Sequence, residues 1–335
     1  MSSIVRKILV VISLFVITLY LFGCGNKKES YNLSNENHLI LRLAETQSSN
    51  YPSARGAMEF AQLVEQKSAG RIKVKVYDSG QLGDETSVVE QVQFGGIDLA
   101  RVSLDSLTKY SAKSKITMLP YVIRSREHMW QVFDGPIGQE IKDELFKEKI
   151  LCLAWYDGGA RCFYNSKKQI NNLDDLKGLK ISVQRSQMLM DMYSFLGMSL
   201  IPTKQNGVYN AIQTGFIDGA EDNVVAYYLG KHYEGANYLT YDEHVRIPEA
   251  LIVSRVATMR LSKKDQMIIE QAAQESAKLQ RRLWLNMEME AFKTLNELDI
   301  VITYADAKNK MDFLEAAQAF YNVYTPEDIR EITQQ

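Results

Sequence analysis

Cys24 is the residue whose surroundings most directly specify a chemistry. Leu21-Phe22-Gly23-Cys24 has the form of a lipobox, the cleavage site of a bacterial lipoprotein, with Gly23 small enough for the peptidase and Phe22 bulkier than usual. Arg6 and Lys7 form a basic start, and the uncharged run from Ile8 to Phe22 is shorter than the ~20 residues a membrane span needs. These residues predict export and lipidation at Cys24. The alternative is a permanent anchor helix followed by an ordinary cysteine. Other reactive groups are sparse. His-Glu-x-x-His, Walker A, Gly-x-Gly-x-x-Gly and Gly-x-Ser-x-Gly are all absent. His38, His128, His232 and His244 show no ligand spacing, and no pair of carboxylates stands out for acid–base work. Cys152 and Cys162 are too few for a disulfide framework, and Cys152, inside the apolar run Ile150–Trp155, reads as a buried thiol. His128, beside Trp130 in a polar helix, reads as a solvated or edge residue. The expectation is a protein without catalysis, cofactor or metal.

The elements that must position any site are those of a globular α/β protein. Hydrophobic residues make up 46% and charged residues 24% of the chain, so a core can form. A net charge of −2 offers no basic stripe for nucleic acid. Asn26 to Asn37 is polar and reads as a flexible tether. Beyond it, part of the chain occurs twice. Gln93-Phe94-Gly95-Gly96-Ile97-Asp98-Leu99-Ala100 and Gln213-Thr214-Gly215-Phe216-Ile217-Asp218-Gly219-Ala220 share Gln, Gly, Ile, Asp and Ala at the same offsets. A Gly ending a helix supplies a left-handed cap, and the Ile-Asp that follows suits the start of a buried strand. The duplication predicts two α/β lobes of related construction.

Alternation predicts strands over 38–45 and 71–77, with a helix over 51–68 whose inner face holds Ala57, Met58, Ala61 and Val64. A Gly-bearing loop, Ser79–Asp84, precedes a second helix that runs through Phe94. This β-α-β-α-β opening argues for a sheet covered on both faces. Asp157-Gly158-Gly159 is a place to cross between lobes, and Ala250–Val256 reads as a strand returning to the first. From Lys264 to about Leu295 a helical period places Ile269, Ala272, Ala273, Ser276, Leu279, Leu283 and Met287 on one face. A helix of ~30 residues spans about 45 Å, enough to brace both lobes. A coiled-coil partner helix is the other reading.

Asp174-Asp175-Leu176-Lys177-Gly178-Leu179-Lys180-Ile181, Val208-Tyr209 and 213–223 resemble the solute-binding proteins of tripartite ATP-independent periplasmic (TRAP) transporters, the DctP family. Gly80-Gln81-Leu82-Gly83-Asp84-Glu85 is similar to that family's first-lobe loop. Trp155-Tyr156-Asp157-Gly158-Gly159-Ala160-Arg161 and Asp242-Glu243-His244 look like a branch that includes sugar-acid binders. The resemblance implies a two-lobed periplasmic-binding-protein fold with a hinged central cleft and a long helix bracing both lobes. It implies a small organic-acid ligand and delivery to TRAP membrane subunits. At the site it implies Arg161 as a carboxylate partner, Glu85 as an acceptor for ligand hydroxyls and Asn223 as an amide contact. Two of these have local alternatives: Glu85 suits a helix N-terminus and Asn223 suits an N-cap.

Two positions depart from the family pattern. Ser182 stands where the family carries its main carboxylate-binding arginine, with Arg185 three residues on. An arginine there would lie ~10 Å away and on the opposite face if the strand continued. Gln205 stands where an aromatic often packs on the ligand. Both changes make the pocket more polar and less cationic, so a hydroxylated sugar acid such as a uronate is expected ahead of a C4-dicarboxylate. The expected division is a signal peptide over 1–23, a tether over 24–37, lobe I over 38–158 and 248–287, and lobe II over 159–247 and 288–335. The expected protein is an extracytoplasmic, lipid-anchored monomer. A lipoprotein of the same fold that senses a ligand for a signalling partner is the alternative.

Overall fold

The computed structural model describes residues 38–183, 187–321 and 326–334. Residues 38 to 335 form one compact unit containing two sheets. The first has the order β2-β1-β3-β10-β4, built from β1 (Leu39–Glu45), β2 (Ile72–Tyr77), β3 (Leu99–Ser103), β4 (Ile150–Tyr156) and β10 (Glu249–Ser254). The second has the order β11-β9-β5-β8-β6-β7. Its strands are β5 (Ala160–Asn165), β6 (Lys180–Ser182), β7 (Ser199–Leu200), β8 (Gly219–Asn223), β9 (Tyr238–Arg246) and β11 (Val301–Tyr304).

The duplicated segments explain why the sheets match. In each copy a glycine with φ of 79° (Gly95) or 69° (Gly215) ends a helix and turns the chain into a central strand, β3 or β8. The aspartate of each copy then ties that strand to both neighbours. Asp98 Oδ2 accepts from Arg42 N of β1 at 2.8 Å, and its carbonyl accepts from Ser254 N. Asp218 Oδ2 accepts from Lys180 N of β6 at 2.9 Å, and its carbonyl accepts from Ser166 N. In both sheets the central strand has a parallel neighbour on one side (β1, β6) and an antiparallel neighbour on the other (β10, β5). Read from the β2 and β7 edges, the two orders superpose, and β11 is an extra strand on the second.

The chain passes between the sheets from β4 to β5, from β9 to β10 and, through the long helix, from β10 to β11. Helices cover both faces of each sheet. One core runs from Val88, Val102 and Phe133 through Trp155, Val245 and Ile247 at the crossovers to Phe163, Ile181 and Tyr193. The helix Lys263–Glu297 has 35 residues, roughly 52 Å of axis. Its first half packs on Pro52–Lys67 and the first sheet, through Ile269, Ala272 and Ala273. Its second half packs on Val224–Leu229 and the second, through Trp284, Ala291 and Leu295. The buried stripe also includes Gln280 and Glu288, while Leu279, Leu283 and Met287 are only partly covered. The expected inner face of Pro52–Lys67 is corrected at Met58, which is 36% exposed; Phe60 and Gly56 take the inward positions. The last helix, Pro326–Thr333, returns to the first-sheet side, where Lys113 meets Glu331 at 2.5 Å and His128 Nε2 donates to Ile332 O at 2.9 Å. His128 is therefore buried, against the solvated reading, because its Nδ1 also accepts from Arg124 N.

The first crossover is pinned to the long helix. Gln280 accepts from Asp157 N at 2.7 Å and donates to Asp157 O at 2.8 Å. Arg126 bridges Asp157 Oδ2 (2.8 Å) and Glu288 Oε2 (2.5 Å). Gly159 has φ of 73°, and a Cβ there would come within 2.7 Å of the Trp284 ring. Gly159→Ala is expected to cost about 1–3 kcal/mol, combining left-handed strain with a ring that must move. Chemical denaturation checks this; a variant as stable as the parent refutes the packing argument.

Candidate functional site

In sheets with parallel strands, ligands bind beyond the carboxyl ends of those strands, where the polar loops lie. Here Glu45 of β1, Ser103 of β3, Ser182 of β6 and Asn223 of β8 lie at such ends, and the crossovers join the sheets beside them. Each sheet carries a buried arginine there, held by carboxylates.

In the second sheet it is Arg161, on β5 and 5% exposed. Its Nε and Nη2 bind the two Glu221 carboxylate oxygens, the latter at 2.7 Å, and Nη2 also donates to Glu221 O at 2.6 Å. Nη1 lies 3.5 Å from Asp222 Oδ1. Glu221 Oε1 also receives His244 Nε2 at 3.2 Å, His244 Nδ1 meets Asp242 Oδ2 at 2.9 Å, and Tyr193 Oη meets His244 Nε2 at 2.9 Å. Phe163 stacks on the His244 ring at 4.5 Å. Burial alone would raise the Glu221 carboxyl, but Arg161 and His244 overcome it and hold it down to about 2. Burial alone would lower His244, but Asp242 and Glu221 lift it to about 9. His244 is thus an imidazolium at neutral pH, donating from both nitrogens. The arrangement fixes the plane of the Arg161 guanidinium, with Nε and Nη2 serving Glu221.

In the first sheet the arginine is Arg101, on β3 and 1% exposed. Its Nε and Nη2 bind Glu45, its Nη1 donates to Glu85 Oε1 at 3.0 Å, and Glu249 Oε2 lies 3.1 Å from Nη1. Tyr51 links the sheets. Its hydroxyl meets Asn223 Oδ1 at 3.2 Å and its ring packs edge-on against Trp284.

The expected site residues fall out as follows. Arg161 and Asn223 face each other across the β5–β8 pair. Asn223 also caps Val224–Leu229, accepting from Ala226 N at 2.8 Å, so its capping role is real. Glu85 opens the helix Glu85–Phe94, whose cap is Asp84; its carboxylate, turned to Arg101 and to Ser103 N (3.0 Å), stays partly exposed. Ser182 is buried at the last residue of β6, opposite Ala220. Gln205 opens a short turn, Gln205–Gly207. Arg185 and Cys24 lie outside the described residues. Cys152 and Cys162 are free thiols. Sequence reasoning missed Glu221, His244, Arg101, Glu45 and Glu249. One signal was available: Glu221 directly follows the second copy of the duplicated segment as Arg101 directly follows the first.

Two lobes of like topology, joined by two strand crossovers and the long helix and meeting at buried polar groups, define a protein of the two-lobed periplasmic-binding class. The chain belongs to the DctP family, bacterial extracellular solute-binding protein family 7, whose model matches residues 43–327. A solute-binding protein of Chromohalobacter salexigens is 32% identical over 83% of this chain and 82% of its own. A TRAP periplasmic solute-binding protein from Sulfitobacter sp. NAS-14.1, solved with β-D-galacturonate, has a TM-score of 0.83 at 31% identity, covering 88% of this chain and all of that one. One from Chromohalobacter salexigens, solved with D-glucuronate, has a TM-score of 0.83 at 30% identity, covering 88% and 99%.

Proposed function

We propose that this chain captures a sugar acid of the uronate class outside the cytoplasm and delivers it to the membrane subunits of a TRAP transporter. The observation that carries the reading is Arg161, a buried guanidinium whose plane is set by Glu221 from the same sheet and whose strand neighbour is Asn223. A guanidinium held this way, with Nε and Nη2 already serving Glu221, presents its remaining charge to a ligand carboxylate. Glu85 and Asn223 supply acceptors and donors for ring hydroxyls. The uronates held by similar proteins support the same ligand class. Closure follows from geometry: a ligand touching both sheets stabilises the arrangement in which they meet.

Thermal-shift titration tests the reading. D-Galacturonate or D-glucuronate at ~100 times its Kd is expected to stabilise the protein by ~2.7 kcal/mol, while D-galactose and D-glucose give no shift. A response to the neutral sugars alone overturns it.

Cys24 is the proposed lipid attachment point. Cys24→Ala, expressed in a bacterial host, is expected to move the protein from the detergent phase to the aqueous phase. Unchanged partitioning refutes lipidation.

A further inference from the structure

We infer that Glu45, Glu85 and Glu249, gathered around Arg101, form a charge filter that admits a sugar acid with one carboxylate and rejects its counterpart with a carboxylate at each end. This rests on the sugar-acid reading above.

Three carboxyl groups share one guanidinium, and its donors are turned to them. Nε and Nη2 serve Glu45, Nη2 also reaches Thr46 Oγ1 at 3.0 Å, and Nη1 serves Glu85. Glu249 Oε2 lies 3.1 Å from Nη1 but off the line of its N–H, and it accepts no hydrogen bond. Ser53 Oγ, wholly buried, lies against the same carboxyl. A buried carboxylate oxygen without a well-aligned donor is costly. Here it stands at the strand ends where ligands bind. Glu249 opens β10 directly after the second crossover, and both it and Asp222 of the other sheet act on the Tyr51 phenol. The cluster therefore faces the second sheet.

The internal duplication sharpens the contrast. Arg101 and Glu221 occupy equivalent positions on the central strands. Arg101 pairs in register with Leu251, two residues beyond Glu249, and Glu221 pairs with Phe163, two residues beyond Arg161. Glu249 and Arg161 are therefore equivalent as well. The same ion pair is built in both sheets with its charges exchanged: the antiparallel neighbour strand carries the acid in the first and the base in the second. On the sugar-acid reading the ligand carboxylate lies on the Arg161 side, where His244 brings a second positive charge. Its other end meets three carboxyl groups gathered on one guanidinium, which hydroxyl groups satisfy and a second carboxylate does not. The state of Glu249 agrees: burial pushes its carboxyl up to about 8 despite Arg101, so the cluster already takes up a proton to limit its own negative charge.

Calorimetric titration of D-galacturonate against D-galactarate, the same carbon chain oxidised at both ends, tests this. The wild-type protein is expected to prefer galacturonate at least 100-fold. Glu45→Gln and Glu85→Gln, each combined with Glu249→Gln so that Glu249 cannot ionise in compensation, each remove one negative charge, on β1 and on a separate helix, and each is expected to narrow that ratio about tenfold at pH 7. Galactarate cannot close to the sugar ring, so the change in the ratio from wild type to variant, not the ratio itself, reports charge discrimination, and two variants guard against misfolding of one. A wild-type ratio below threefold, or a ratio unchanged in both variants, overturns the filter and leaves the sugar-acid reading standing. Failure of the wild-type protein to bind either acid overturns both.

Discussion

Arg161→Ala is expected to reduce galacturonate affinity by about 30-fold or more, the equivalent of 2–5 kcal/mol for stranding a desolvated carboxylate. The variant also leaves Glu221 buried without its main partner, so a loss of stability should accompany the loss of binding. Arg161→Lys separates the two effects. It keeps the charge beside Glu221 but loses the planar fork, so it should recover stability while affinity stays low. Ser182→Arg belongs in the same titrations. If Ser182 faces the ligand, an arginine there should strengthen binding of simple carboxylates and hinder the sugar acid by bulk. Silence of both Arg161→Ala and Ser182→Arg in calorimetry would discard the proposed anchor.

Thermal stability is expected to fall as pH rises from about 4.5 to about 9. His244 is lifted from 6.5 to about 9, and Glu249 from 4.5 to about 8. Both hold protons more tightly folded than unfolded. Their contributions are complete below the unfolded values and are lost as pH climbs through the folded ones. For His244 that window is 6.5 to about 9, worth roughly 3 kcal/mol. Glu221 works in the opposite sense, because its value is lowered from 4.5 to about 2: its contribution is present above 4.5 and lost as pH falls toward 2. Calorimetric scans from pH 5 to 10 should therefore show a declining melting temperature, and His244→Gln should flatten the decline above pH 6.5. Parallel curves for the two proteins would show that His244 is not the responsible group.

The frame of the molecule was readable because its cause is local. Gly95 and Gly215 are needed where a helix turns left-handed into a strand, and the aspartate three residues on must satisfy a neighbouring strand, so both copies keep the same letters. Asp157-Gly158-Gly159 was readable as a crossover because only glycine fits against Trp284. The charged interior was not. Arg101 and Glu45 lie 56 residues apart, and Arg161 and Glu221 lie 60 apart. Each looks like a surface residue until strand register brings it opposite a partner. The long helix misled for the same reason. Gln280 and Glu288 interrupt its apolar stripe, yet both are buried because Asp157, Arg126 and Trp284 satisfy them.

The path of the chain has a consequence for how the protein comes apart. Strands of the first sheet come from both sides of those of the second in sequence, and one uninterrupted helix supplies core residues to both. Neither half owns a complete set of contiguous segments, so neither can melt and leave the other a finished core. Unfolding should be a single cooperative transition, with calorimetric and van't Hoff enthalpies equal, and the slowest-exchanging amides should lie in β3, β8 and the middle of the long helix together.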